Sequence, residues 1–334
     1  MSQPLTTRVP ATAAGQPLLA WLAGRFRYHG TAGWRQQLES GRLQRNGVVA
    51  RGDECLATGD RVTFTPAAPA ADESVTTVPV LHVDDDLLVV DKPPYTVVQQ
   101  ESAFPRHAFV AALAARFPPA ADTTRLEPVH RLDRETSGVL VLARSRLAAR
   151  AMQGQFEAHT VQKCYVAVVH GVVAADELVL DGAIGPARSS TVAARRAVVA
   201  AGTAGARTAH TELRVLERLR GATLVELRPH TGRTHQLRVH LEHLGHALVG
   251  DSLYGQSDAR YLAYVQHLKG DGDPRWPGER EVGRQLLHAA SLACRHPRDG
   301  TRRTFSAPWP ADLCQFVRSR GGRGDAAGGD ADLR

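Results

Sequence analysis

Asp133 has the setting best suited to chemistry in this chain. It lies in His130-Arg131-Leu132-Asp133-Arg134-Glu135-Thr136-Ser137-Gly138, ahead of the apolar run Val139-Leu140-Val141-Leu142 and close to Arg131, Arg134 and Arg144. Positive neighbours favour the ionised carboxylate and depress its pKa. A carboxylate fixed at the edge of a firm strand can act as nucleophile, base or cation ligand. A salt-bridged surface loop is the plain alternative.

Histidines offer a second chemistry. His230, His235, His240, His243 and His246 fall within 17 residues, which could suggest a metal-dependent hydrolase. On a helix, however, His235 and His240 are five apart, off the one-face spacing of three or four. His240 and His243 share a face but lack the glutamate of an H-E-x-x-H arrangement. The acids Asp84-Asp85-Asp86 read as a solvated turn. Cys55, Cys164, Cys294 and Cys314 are far apart with no C-x-x-C, so they read as reduced, buried thiols. We therefore expect no metal.

Charge and length frame what must hold these groups. The chain has 334 residues, 43% hydrophobic and 22% charged, enough for a sizeable core and about two domains. A net charge of +7 and a pI near 9.6 favour a polyanionic partner. No apolar run approaches the length of a membrane span and no signal core opens the chain, so a cytoplasmic location with no membrane is expected. Nothing in the sequence suggests more than a monomer.

Residues 1–15 read as disordered. In 16–65, Leu18, Leu19, Leu22 and Phe26 have helical spacing after Pro17, a second short helix around Trp34 and Leu38 stops at Gly41, and Asn46-Gly47 marks a hairpin. Between Gly24 and Arg51 this unit carries Arg25, Arg27, Arg35, Arg42, Arg45 and Arg51 against the single acid Glu39. Residues 66–79 read as a linker, and 319–334 as a disordered tail. Between them, strands are expected at 80–83, 87–91, 138–143, 163–169, 208–217 and 222–228, with helices at 107–117, after Ser145 (carrying Leu147, Met152 and Phe156), and from near Gly232. Residues 186–207, with four arginines and no acid, read as a mobile loop or solvated insertion, and 255–285 as another loop-rich insertion.

The run H-R-L-D-x-x-T-S-G resembles the signature of the RluA-type pseudouridine synthases, which isomerise uridine in structured RNA. Three further segments follow in that family's order: Val83 to Pro94 with Asp91-Lys92-Pro93, Lys163-Cys164-Tyr165, and Arg228 to Leu241 with His235-Gln236-Leu237-Arg238. The match covers roughly 80–318. Residues 38–47 with 59–62 are similar to a small ribosomal-protein-like RNA-binding module, of which Arg42 and Arg45 would be RNA contacts. After Pro94, Tyr95 to Gln100 departs from the family's usual turn.

The resemblance implies an α+β domain with a mainly antiparallel, curved sheet and a basic central cleft. It implies that Asp133 is essential, that Arg238 is its guanidinium partner with Arg233 as fallback, that Tyr165 and Leu237 meet the base, and that Arg131 fills the gap left by a flipped uridine. His130 would brace the loop beside the RNA. The isomerisation releases nothing and changes no oxidation state, so no cofactor is expected. The partner would be structured RNA, ribosomal first and transfer RNA next. A non-catalytic RNA-binding or assembly protein of the same fold is the competing reading, since fold alone does not fix activity.

Overall fold

The computed structural model describes residues 4–26, 31–52, 54–65, 77–98, 108–121, 123, 125–269 and 281–324. The chain divides into two units, Met1–Val75 with Gln99–Ala112, and Thr76–Val98 with Leu113–Arg334. The linker expected at 66–79 falls mostly outside the described residues, as do residues 325–334 of the expected tail.

In the first unit, helices α1 (Leu18–Arg25) and α2 (Thr31–Glu39) share one core with an antiparallel sheet of β1 (Leu5–Arg8), β2 (Leu43–Arg45), β3 (Val48–Val49) and β4 (Arg61–Phe64), ordered β1-β4-β2-β3. Leu18, Leu22, Trp34, Leu43 and Val62 fill that core. Asn46 and Gly47, both at positive φ (52° and 86°), give the turn that lets Arg45 pair with Val48. One expectation is corrected here: residues 5–8 are not disordered but register against Arg61–Phe64 as an edge strand. The ladder supplies the hydrogen bonds that a small polar segment cannot make alone.

The second unit is built on an eleven-stranded sheet. Its strands are β5 (Val80–Val83), β6 (Leu87–Lys92), β7 (Glu127–Pro128), β8 (Ser137–Ala143), β9 (Gln162–His170), β10 (Glu177–Pro186), β11 (Arg196–Val199), β12 (Arg207–Leu219), β13 (Ala222–Pro229), β14 (Leu287–Arg295) and β15 (Arg302–Ser306). The order is β11-β10-β12-β13-β9-β14-β8-β6-β5, with β15 on β14 and β7 on β8. Among the described residues, β8 with β14 is the single parallel pair. At that seam Gly138 has φ +113°, and an added Cβ would lie 2.2 Å from the Ala289 carbonyl oxygen. Glycine is required there by both backbone and space.

Helix α3 (Ala108–Arg116) precedes the Asp133 loop. Helix α4 (Arg146–Glu157), capped by the Ser145 hydroxyl accepting from the Ala148 amide at 3.1 Å, buries Ala148, Ala149 and Met152 on β8. Leu147, expected on that stripe, is exposed instead. Helix α5 (Gln236–His243) lays Leu237 and Leu241 on one face of β9 and β13, and α7 (Ala311–Ser319) lays Leu313, Phe316 and Val317 on the opposite face of the same strands.

Two supposed loops are ordered. Part of 186–207 is β11, paired with β10, and part of 255–285 is helix α6 (Asp258–Lys269). Arg195 bridges Glu242 and Asp258, while Ser190 and Thr191 also donate to Asp258. The charges that made the first segment look solvated thus anchor it to the second. The acidic turn is likewise not fully solvated. Asp86 is buried and bound by Ser145 and Arg298, and Asp84 is shared by His82 and His296; only Asp85 is exposed. The four cysteines are thiols outside any disulfide, but Cys55 is exposed and Cys314 half-buried, against the expectation that all are buried. No described helix is long and apolar enough to cross a membrane.

Candidate active site

The Asp133 loop runs from β7 into β8, and several braces fix it. Leu132 is buried, the Thr136 amide donates to the Asp133 carbonyl at 3.1 Å, and the Val141 amide donates to His130 Nε2 at 3.1 Å. The His130 ring stacks on Phe156, and burial drops its pKa to about 3, so it stays neutral and braces the loop. Fully buried Lys92 donates to the carbonyls of Pro93, Thr96 and Arg134, tying the loop to the end of β6. Glu135 points inward, bound by the Tyr264 hydroxyl at 2.8 Å and the Gln285 amide at 3.2 Å.

Opposite stands α5. The Gln236 side chain accepts from the Thr231 hydroxyl and the Arg233 amide, closing the turn ahead of the helix. Two residues on, Arg238 donates through Nη1 to Asp133 Oδ2 at 2.9 Å, and through Nε and Nη2 to both oxygens of Asp251 at 2.7 and 2.8 Å. The bidentate face of the guanidinium is therefore taken by Asp251, leaving one guanidinium nitrogen for the Asp133 carboxylate. The Asp251 side chain is fully buried, while that of Asp133 is 22% exposed. Tyr254 lies beneath Arg238, its ring centroid 4.8 Å from the guanidinium carbon.

Asp133 lines a cleft of about 530 Å³ together with Arg131, Tyr165, Leu237, Arg238 and Lys163. Burial alone would raise its pKa, but it falls to about 2, because nearby positive charge and the Arg238 hydrogen bond outweigh desolvation. His235 is one source of that charge, yet its own pKa is down at about 4 through burial. Above that pH, Arg238 and Arg131 hold the carboxylate ionised. Burial and the Asp133 charge push Tyr165 well above the usual phenol range, so it keeps its proton. Burial and Arg233 lower Lys163 to about 8; its ammonium donates to the Thr231 carbonyl.

The structure brings Asp133, Tyr165, Arg238, Arg131, Leu237, Arg233 and His130 to one cleft. Arg233 donates through Nε to the Thr208 carbonyl, and of the two arginines it is Arg238 that bonds the Asp133 carboxylate. Arg42 and Arg45 belong to the first unit. Arg42 reaches Gln37, and Arg45 is paired with Glu54 and Asp60, which braces the Asn46 hairpin. The histidines expected to cluster bind separate partners: His230 binds Glu212, His235 Tyr254, His240 Thr211 and His246 the His170 carbonyl. Two trios among the described residues have ligand-like spacing, His82-Asp84-His296 and His210-Glu212-His230. Sequence reasoning missed Asp251, Tyr254 and Lys163. Gly250-Asp251-Ser252-Leu253-Tyr254-Gly255, a polar run between two glycines, was the signal available for the first two.

The model of the RNA pseudouridylate synthase family matches residues 86–243. Along nearly its whole length the chain is similar to the ribosomal large subunit pseudouridine synthase D of Xanthomonas campestris pv. campestris, 36% identical over 92% of this chain and 90% of the relative. The chain is an RluA-type pseudouridine synthase. The enzyme of the same name from Pseudomonas aeruginosa is 33% identical over 91% and 92% of the two chains. Among solved structures, human RNA Pseudouridylate Synthase Domain Containing 4 aligns with TM-score 0.57 and 25% identity, covering 74% of this synthase and 94% of that chain. The synthase is thus an isomerase acting on RNA.

Proposed function

We propose that this synthase converts uridine to pseudouridine in ribosomal RNA of the large subunit, in the cytoplasm, with Asp133 as the essential carboxylate. The relatives' names support the choice of ribosomal RNA. The observation that carries the role of Asp133 is its pairing. Oδ2 is held by Arg238, no donor among the described residues is bonded to Oδ1, and Asp133 and Tyr165 line the same cleft. The reaction breaks the C–N glycosidic bond, turns the uracil and forms a C–C bond at C5; C5 gives up a proton and N1 gains one. An ionised carboxylate with one unengaged oxygen can attack base or sugar, or take a sugar proton.

The target base must leave its stack to reach this depth, at a cost of a few kcal/mol. Arg131, exposed at the cleft, supplies a plane to fill the gap, and Tyr165 and Leu237 hold the uracil. The N-terminal unit adds sequence-independent attraction through Arg42 and the exposed Arg51 and Arg61, so binding weakens steeply with salt. The test is a carbodiimide map of pseudouridine across all cellular RNA with and without the gene product. Loss of one or more large-subunit sites supports the reading; an unchanged large-subunit map overturns it.

A further inference from the structure

His235 is the best-prepared group in the cleft to which no role has been given. It precedes α5 with φ 59° and ψ 20°, a left-handed conformation that side chains other than glycine and asparagine mostly avoid. Its ring does not cap the helix; it lines the cleft. Strain of this kind persists where the surroundings fix a residue for use.

Tyr254 bears on which ring nitrogen carries the proton. The Tyr254 hydroxyl oxygen accepts from the Arg196 amide at 3.2 Å and lies 2.9 Å from His235 Nδ1. It has one proton to give, and among the described residues Nδ1 is the acceptor within reach. With the phenol donating its proton, Nδ1 accepts and Nε2 carries the hydrogen. No described residue bonds Nε2. The charged groups around the ring are Arg238, Asp133, Asp251 and Arg131, and burial with Arg238 keeps it neutral down to about pH 4. A neutral ring does not compete with Arg238 for the carboxylate.

We infer that His235 is a substrate-binding residue whose Nε2–H donates to an acceptor oxygen of the extruded uridine, and that Tyr254 is the positioning residue that fixes its tautomer. This rests on the reading of the Asp133 cleft. Nitrogen-15 NMR of the full chain should show His235 as the Nε2–H tautomer at pH 7. His235→Asn keeps the left-handed backbone and removes the Nε2 donor. On ribosomal RNA from cells lacking the gene product, it should lose about tenfold in kcat/KM, the scale of one hydrogen bond, with RNA affinity unchanged. His235→Gln, whose amide reaches about as far as Nε2, should recover severalfold. Tyr254→Phe should move the acid limb of kcat upward, since Nδ1 loses its donor. An Nδ1–H tautomer, or wild-type turnover by His235→Asn beside an inactive Asp133→Asn, overturns this inference alone. Activity in Asp133→Asn overturns the reading of the cleft beneath it.

Discussion

Asp133 and Glu135 are two acids of one loop, two residues apart, each beside arginine, with opposite fates. Glu135 faces inward, where Tyr264, Arg134 and the Gln285 amide occupy its oxygens. Asp133 faces the cleft, with one oxygen on Arg238 and the other left open. Charge environment alone does not separate them, because both sit among guanidinium groups. The separation lies in how many of each acid's lone pairs the fold has already committed. A fully bonded carboxylate is a fastener, and a half-bonded one is available to a substrate.

That contrast predicts different failures. Asp133→Asn should lower pseudouridine formation by roughly a hundredfold or more, read as tritium release from 5-tritiated uridine, with the melting temperature unchanged. Comparable turnover would erase the distinction. Asp251→Asn leaves the buried Arg238 short of a charge partner and should cost about 3 kcal/mol in urea denaturation together with most activity. Glu135→Gln should cost about 2 kcal/mol while the remaining folded enzyme turns over normally; a rate loss without a stability loss would put Glu135 on the chemical side. The smallest effect concerns Lys163. Its pKa near 8 means the charge is present below that pH and lost above it. RNA affinity should fall a few fold from pH 7.5 to 9, and Lys163→Arg, which keeps its charge, should flatten the profile.

Asp133 stood out by its charged neighbours ahead of an apolar run, whereas Tyr165 and Arg238 were singled out only because their segments resemble the family's motifs in order. The central strands were legible in their own residues: β8 is buried on both faces and reads as an unbroken apolar run. What escaped depends on pairing at a distance. Asp251 gains meaning only when Arg238 lies against it, and Tyr254 only when His235 and Arg196 converge on its hydroxyl. Helix α6 hid because its residues are polar overall, and what anchors it, Tyr264 on Glu135 and Asp258 on Arg195, comes from segments 129 and 63 positions away. Strand β1 is too short to show a period and exists through its partner β4.

The parallel seam between β8 and β14 carries a consequence for biogenesis. Ser137 meets His288 across 151 positions, and Arg284 reaches the Glu135 carbonyl from almost as far. Contacts so remote in sequence form late, after the loop between them has closed. A chain emerging from the ribosome exposes Asp133 long before the strand that fixes its loop has been synthesised. Assembly of the cleft therefore waits for β14, and a product truncated ahead of that strand would carry the whole signature motif without an assembled cleft.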